Sequence, residues 1–354
     1  MNNISAFNGL RFIVIVLLIF RHFDIFNDLK IEGWETYMRY FAEGFLSVNF
    51  FFILSGFCIS YGYYEKLKSN KISSLEFFKK RIIHIWPIHF IFLLLALFLY
   101  YYNNISLGLF QLKFFVNLFL LQSFIPSLDY FFSYNGLSWA VSNEVFYYFL
   151  FTMIVCISIR KQYVMCAVIW IIILLNIVIA NQNGNVDGWF FYINPIFRFG
   201  DFLIGVVLYH LYNRNVMLSY IRSNATIMEI FSVLILFISI YLGSKYDNWL
   251  WKCQVWYTVT CIPLIYFFSI SNGILSKILS NKLFSYLGSI AYPLYLSHQL
   301  VLAAVKKVFI KYLVTCESIL MFGIVSIFIS IILSIIIKHC VMDNIKKIYL
   351  RKYA

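Results

Sequence analysis

Long apolar runs, each closed by a charged or polar stretch, recur from one end of the chain to the other. An α-helix rises 1.5 Å per residue, so about 20 apolar residues cross a hydrocarbon layer of about 30 Å. On that measure the runs predict spans at Gly9–Phe26, Phe41–Tyr61, Ile82–Tyr102, Asn143–Ile159, Val164–Ala180, Ile196–Leu211, Ile227–Leu242, Val255–Ile270, Phe284–Val308 and Ile319–Ile337. Asn143–Ile159 and Ile196–Leu211 are on the short side. The pattern predicts an all-α fold, a polytopic integral membrane bundle with about ten transmembrane helices. Residues 1–354 form one expected domain, without an appended soluble domain, an internal repeat or a Pro/Gly/Ser linker. The longest connection, Tyr102 to Val141, has an apolar and aromatic middle from Leu107 to Phe124. Such a segment lies in the interface or re-enters the membrane.

Composition supports the class. Of 354 residues, 62% are hydrophobic and 12% charged, against about half and about a quarter in soluble domains. The net charge of +13 does not indicate nucleic acid, because the basic residues cluster between apolar runs. Lys66, Lys68, Lys71, Lys79, Lys80 and Arg81 follow the second span. Arg160 and Lys161 follow the fourth, Arg214 and Arg222 the sixth, Lys277 and Lys282 the eighth, and Lys338, Lys346, Lys347, Arg351 and Lys352 the tenth. The alternate loops hold Asp28, Glu32, Glu35 and Glu43, then Asp129, then Asp187. This asymmetry puts both termini in the cytoplasm. One loop disagrees: Lys306, Lys307 and Lys311 fall on the outer side and are outvoted. The seven cysteines stand singly, which predicts free thiols rather than disulfides or zinc ligands. Arg11 interrupts what would be the apolar core of a signal peptide, and no small-residue cleavage site follows, so the first run is a span.

The charges inside the spans are the chemical signal, since an ionisable residue in hydrocarbon is costly. Arg11 and His22 share the first span. Eleven helical steps bring His22 to within about 20° of the face of Arg11 and about 16 Å further along the axis. Near the cytoplasmic side the sequence also places Lys79, Lys80, Arg81 and His84. Deeper or towards the outer side it places Asn49, Ser55, Glu144, Arg198, Asp201, Tyr292 and His298. A guanidinium matches phosphate oxygens. An imidazole with a pKa of about 6.5 accepts a proton from a hydroxyl at neutral pH. Together they suggest transfer of a group from a phosphorylated inner donor to an outer hydroxyl. Each residue also has a plain structural use: Arg11 can snorkel to headgroups, Glu144 can complement a helix N-terminus, and Arg198 and Asp201 can form a local ion pair.

Five short motifs follow in order. They are Gly9-Leu10-Arg11 through His22; Asn49-Phe50-Phe51-Phe52-Ile53-Leu54-Ser55-Gly56-Phe57; Trp139 with Ser142, Glu144, Phe146 and Tyr147; Arg198 with Asp201, Phe202 and Gly205; and Gly288 with Tyr292, Tyr295, Leu296 and His298. In these the chain resembles the acyltransferase family 3 membrane proteins, over most of its length. Three positions depart from that pattern: Asn8 stands for an Asp, Ala291 for a Ser, and His84 for the second Arg of an Arg-x-x-Arg. The resemblance implies an O-acyltransferase, most simply an O-acetyltransferase, with acetyl-CoA as donor and no metal or redox cofactor. It implies a saccharide or lipid-linked glycan acceptor and a bacterial inner membrane. It further implies that His22 and Glu144 are catalytic, that Arg11, Arg81 and His84 hold the donor, and that Trp139, Arg198, Asp201, Tyr292 and His298 shape the acceptor site. A polysaccharide transporter or flippase is the rival from another class, although the paired halves and broken helices common in such transporters are not evident. A lipid-linked sugar polymerase is a third option, and a large polar outer loop would favour it. Acceptor sugar, acyl length and oligomeric state are not readable from the sequence.

Overall fold

The computed structural model describes residues 4–102, 110–184, 186–345 and 347. The start of the apolar outer segment at Leu107 and the basic residues Lys346, Arg351 and Lys352 lie outside the described residues. Among the described residues the chain is helical, with no strand. The principal helices are α1 (Ala6–Arg21), α2 (Trp34–Phe41), α3 (Leu46–Lys68), α4 (Ser74–Tyr102), α5 (Ser138–Ile154), α6 (Ile159–Asn183), α7 (Pro195–Asn213), α8 (Ala225–Gly243), α9 (Tyr257–Ser269), α10 (Ala291–Phe309) and α11 (Cys316–Ile337).

Six helical stretches among the described residues are long and apolar enough to cross a membrane: Trp34–Lys68, Ser74–Leu99, Ile159–Asn183, Trp189–Asn213, Ala225–Gly243 and Cys316–Ile345. They make this a multi-pass membrane protein, and they coincide with six of the expected spans. The other four expected spans fall on α1, α5, α9 and α10, of 16, 17, 13 and 19 residues. Each falls short for a local reason. A 3-10 turn, His22–Leu29, takes over where α1 ends, and α5 stops at Ile154, five residues before the expected end of its span. A π-helical turn, Lys252–Trp256, precedes α9, and the last turn of α10 carries Lys306 and Lys307. The apolar windows around α3 and α7 are each 72% buried, whereas those of α6, α8 and α11 are 22%, 28% and 28% buried. The first pair therefore forms the centre, and the other three turn apolar faces such as Ile171, Phe237 and Phe328 outward, as lipid contact requires.

Two glycines bring the central pair together. A Cβ on Gly56 would stand 2.0 Å from the Phe202 carbonyl oxygen, and one on Gly205 would stand 2.0 Å from that of Ile53. The backbones of α3 and α7 touch there, as small residues allow in membrane helix packing. Gly56 thus serves packing, which frees its neighbour Ser55 for other contacts.

The outer segment does not simply lie over the bundle. Its helix Phe110–Leu118 runs along α4, and Trp86 Nε1 donates to the Leu118 carbonyl at 3.0 Å while the His89 ring meets the Asn117 carbonyl at 2.9 Å. Trp86 and His89 stand mid-way along α4, so the chain descends to that level before Ser138 starts α5. Its irregular tip is pinned there: Ser142 Oγ donates to the Leu120 carbonyl at 2.5 Å, and Ser123 and Ser142 hydroxyls are 2.6 Å apart. Non-helical backbone at membrane depth is tolerated when protein partners satisfy it in this way. Of the two readings left open for this segment, the contacts favour re-entry.

The basic loops collect at one end of the bundle. Ser5 bonds Ser280 at 2.8 Å, Gln162 bonds Tyr64 at 2.9 Å and His210 at 2.7 Å, and Asn272 bonds the Arg222 carbonyl at 3.0 Å. The acidic loops collect at the other: Asn248 bonds Asn181 at 2.7 Å, Lys252 pairs with Glu43 at 2.7 Å, and Lys306 pairs with Asp28 at 2.6 Å.

Candidate active site

α1 begins with the residues that face its inner neighbours. Arg11 is half-buried, donating from Nη1 to Asn8 Oδ1 at 3.1 Å and from Nη2 to Cys58 Sγ of α3 at 3.1 Å. Asn8 therefore supplies an acceptor to Arg11, but no negative charge. Arg11 makes no ion pair among the described residues.

A second cation sits on α4 at the same depth. Arg81 Nη2 donates to the Tyr148 hydroxyl at 3.1 Å, its guanidinium stands 4.8 Å from the centre of that ring, and its Nε is buried without a hydrogen-bond partner. Arg81 also has no ion pair among the described residues. The Tyr148 hydroxyl in turn donates to Glu144 Oε1 at 2.5 Å, one turn earlier on α5, and Ser55 Oγ of α3 donates to the same oxygen at 2.7 Å. Both bonds fall on Oε1, and among the described residues Oε2 accepts none. Glu144 lies in the second turn of α5, six residues past Ser138, so it is not an acid complementing the helix terminus. Tyr292 of α10 closes this level by donating to the Ile85 carbonyl at 3.1 Å.

His22 follows the last residue of α1 and faces His298 of α10. The two ring centres are 5.3 Å apart with their planes at 43°. His298 is fully buried, its Nδ1 lies 3.1 Å from the Leu294 carbonyl, and its Nε2 has no partner. Tyr295 fills the adjoining space, 6.2 Å from the His298 ring centre, with its hydroxyl on the Leu137 carbonyl at 2.8 Å.

From the inner level to the outer, α1, α3, α4, α5 and α10 thus line one polar column: Arg11 with Cys58, Arg81 with Tyr148 and Glu144, then His22 with His298. A family profile described as an acyltransferase domain matches residues 4–339. The chain belongs to acyltransferase family 3. No curated protein and no solved structure matches it.

In this membrane acyltransferase the remaining sequence candidates lie apart from the column. Arg198 and Asp201 are 1% and 3% exposed and form an ion pair of 3.0 Å within α7. Arg198 Nη1 also donates to the Cys253 carbonyl at 3.1 Å, and its guanidinium sits 5.6 and 5.7 Å from the ring centres of Phe52 and Tyr192. Asp201 accepts from Thr258 at 2.6 Å and Asn49 at 3.4 Å. The π-helical turn Lys252–Trp256 leaves the Cys253 carbonyl free to accept from Asn49 at 2.8 Å as well. Among the described residues this set shares no bond with Arg11, Glu144 or His22. Trp139 is buried, with its ring 5.3 Å from Tyr192. His84, one turn from Arg81, is exposed on α4.

Sequence reasoning missed Tyr148 and Cys58. Tyr148 stands four residues from Glu144, which puts both on one helix face, so that spacing was a usable signal. Cys58 stands three residues from Ser55 on α3, but only the tertiary packing brings Arg11 to it. Asn135, which bonds the Leu296 carbonyl at 2.8 Å and ties α10 to the start of α5, carried no signal at all.

Proposed function

We propose that this protein transfers an acyl group, most simply acetyl, from acyl-CoA on the cytoplasmic side to a hydroxyl of a saccharide or lipid-linked glycan at the outer side of a bacterial inner membrane. The observation that carries the reading is the polar column itself: two cations at one level without carboxylate partners among the described residues, and an imidazole pair about 16 Å further along α1. A half-buried guanidinium without a carboxylate is poised for an anionic ligand. Arg11 and Arg81 fit the donor's phosphates, which lets the acyl thioester extend towards His22. His84, being exposed, would meet the donor only near the membrane surface.

His22 takes the proton of the acceptor hydroxyl. The hydroxyl oxygen bonds to the thioester carbonyl carbon, the C–S bond breaks, and the imidazolium returns its proton to the departing thiolate, giving an ester and a free thiol. The energy of the thioester drives the step, and general base catalysis contributes about 10²–10⁴-fold. Glu144, with Oε2 open, orients the acceptor. Tyr292 and Tyr295 wall the path between the two levels. Loop charge asymmetry puts the basic end, with both termini, in the cytoplasm. The four shorter helices α1, α5, α9 and α10 complete about ten membrane passes, with help from their flanking turns.

Purified protein incubated with acetyl-CoA and bacterial envelope glycans tests this reading. Release of free thiol with acetylated glycan by mass spectrometry is expected. Glycan translocation without thiol release would mark a transporter instead.

A further inference from the structure

Resting on that reading, we infer that His298 is a positioning residue for His22: its Nε2 accepts an N–H from the His22 ring and stabilises the imidazolium formed when His22 takes the acceptor's proton. The geometry points to this in three ways. First, the Leu294 carbonyl oxygen can only accept, so the His298 Nδ1 that lies 3.1 Å from it carries the hydrogen. Second, that leaves Nε2 as the lone-pair nitrogen, and it is buried with no partner in a side chain that is 0% exposed. The large majority of buried side-chain polar atoms have a hydrogen-bond partner, so an orphan acceptor in the wall of the column calls for a donor. Third, among the described residues the imidazole at hand is that of His22, at a ring separation of 5.3 Å. Two imidazoles joined edge to edge by an N–H···N bond have centres about 5 Å apart, given a donor–acceptor distance of about 3 Å. At that separation the bond requires a rotation of the His22 side chain that turns an N–H towards Nε2.

The resulting relay runs from the His22 ring through His298 Nε2 and Nδ1 to the Leu294 carbonyl. It does the work usually given to a carboxylate behind a catalytic histidine, fixing the tautomer so that the other His22 nitrogen presents its lone pair to substrate. Among the described residues no carboxylate bonds either ring. The proton taken from the acceptor stays on His22 and returns to the thiolate. His298 gains no net proton.

Two substitutions separate this role from a merely structural one. In His298→Asn the amide nitrogen takes the place of Nδ1 and keeps the bond to Leu294, but nothing accepts at Nε2. In His298→Gln the amide reaches the Nε2 position and its oxygen can accept, while the Leu294 bond is lost. We expect His298→Asn to fold, to keep its acyl-CoA Kd and to lose at least about tenfold in kcat, and His298→Gln to retain more turnover than Asn. A purely structural bond to Leu294 predicts the reverse order. His298→Asn turning over at the wild-type rate overturns the inference. Nitrogen-15 NMR of histidine-labelled wild-type protein reads the same point without a substitution. Nδ1 of His298 should be protonated and Nε2 an acceptor, and a protonated Nε2 overturns it. The outcomes also separate this inference from its foundation. An active wild type, an inactive His22→Gln and a fully active His298→Asn remove only the relay. A wild type unable to transfer acyl groups removes the reading beneath it.

Discussion

Lys306 Nζ donates to both carboxylate oxygens of Asp28, at 2.6 and 2.7 Å, and to the Ile25 carbonyl at 2.5 Å. One of the three lysines that contradicted the charge rule is therefore tied to an acid of the loop after α1. At Lys306 one loop end neutralises the other, so that part of the exception to the positive-inside pattern has a local cause. Cysteines introduced at Asp28 and Lys306 should both react with membrane-impermeant reagents added from outside intact cells, and should cross-link to each other on oxidation. Labelling of either from the cytoplasmic side alone would invert the orientation. The pair is largely open at Asp28, so Lys306→Ala should cost less than about 1 kcal/mol of stability.

Arg198 and Asp201 form the buried counterpart. Removing one partner of a buried pair leaves an uncompensated charge and typically costs about 3–5 kcal/mol. Arg198→Ala and Asp201→Ala should reduce both thermal stability in detergent and yield of folded protein. Activity should fall in proportion to the folded fraction. An Arg198→Ala protein with wild-type melting behaviour and no activity would move this pair from scaffold to chemistry.

If Arg11 holds the donor as proposed, Arg11→Ala should remove a charge-assisted contact worth about 1.5–3 kcal/mol. That is a rise of roughly tenfold to a hundredfold in Kd for acyl-CoA, measurable by binding of labelled donor. Arg81→Ala should weaken binding as well and should also release Tyr148. An unchanged Kd in folded Arg11→Ala would leave Arg11 with its Asn8 and Cys58 bonds and no ligand.

Glu144→Gln tests the free carboxylate oxygen. The amide oxygen can still accept from Ser55 and Tyr148 at the Oε1 position, so the fold should hold, but the Oε2 position becomes a donor. Turnover should drop at least about tenfold with little change in donor Kd. The measurement is kcat against donor KM at saturating acceptor, and an unaltered kcat would make Glu144 a brace for Tyr148 only.

Much of this was legible in the chain because helical spacing is local. The eleven-residue step from Arg11 to His22 needed only the 3.6-residue period, whereas the motif containing Glu144 stood out only through the resemblance to acyltransferase family 3. What was not legible depended on packing between distant segments. The apolar run through Phe23 and Phe26 concealed that α1 stops at Arg21, since both rings are buried in the 3-10 turn as they would be in a helix. Polar residues of depth comparable to Glu144 looked equivalent in sequence, yet Arg198 and Asp201 satisfy each other in α7 while Arg81 keeps a free Nε. The facing of His22 and His298, from opposite ends of the chain, had no sequence signal beyond membership of two motifs.

The most direct measurement is the rate of acyl transfer from acetyl-CoA by purified, membrane-inserted His22→Gln beside wild type. Glutamine keeps hydrogen-bonding capacity but cannot take a proton. Donor affinity should be unchanged and transfer should fall by about 10²–10⁴-fold. Transfer near the wild-type rate would contradict a proton-accepting role for His22 and leave the imidazole a structural partner of His298.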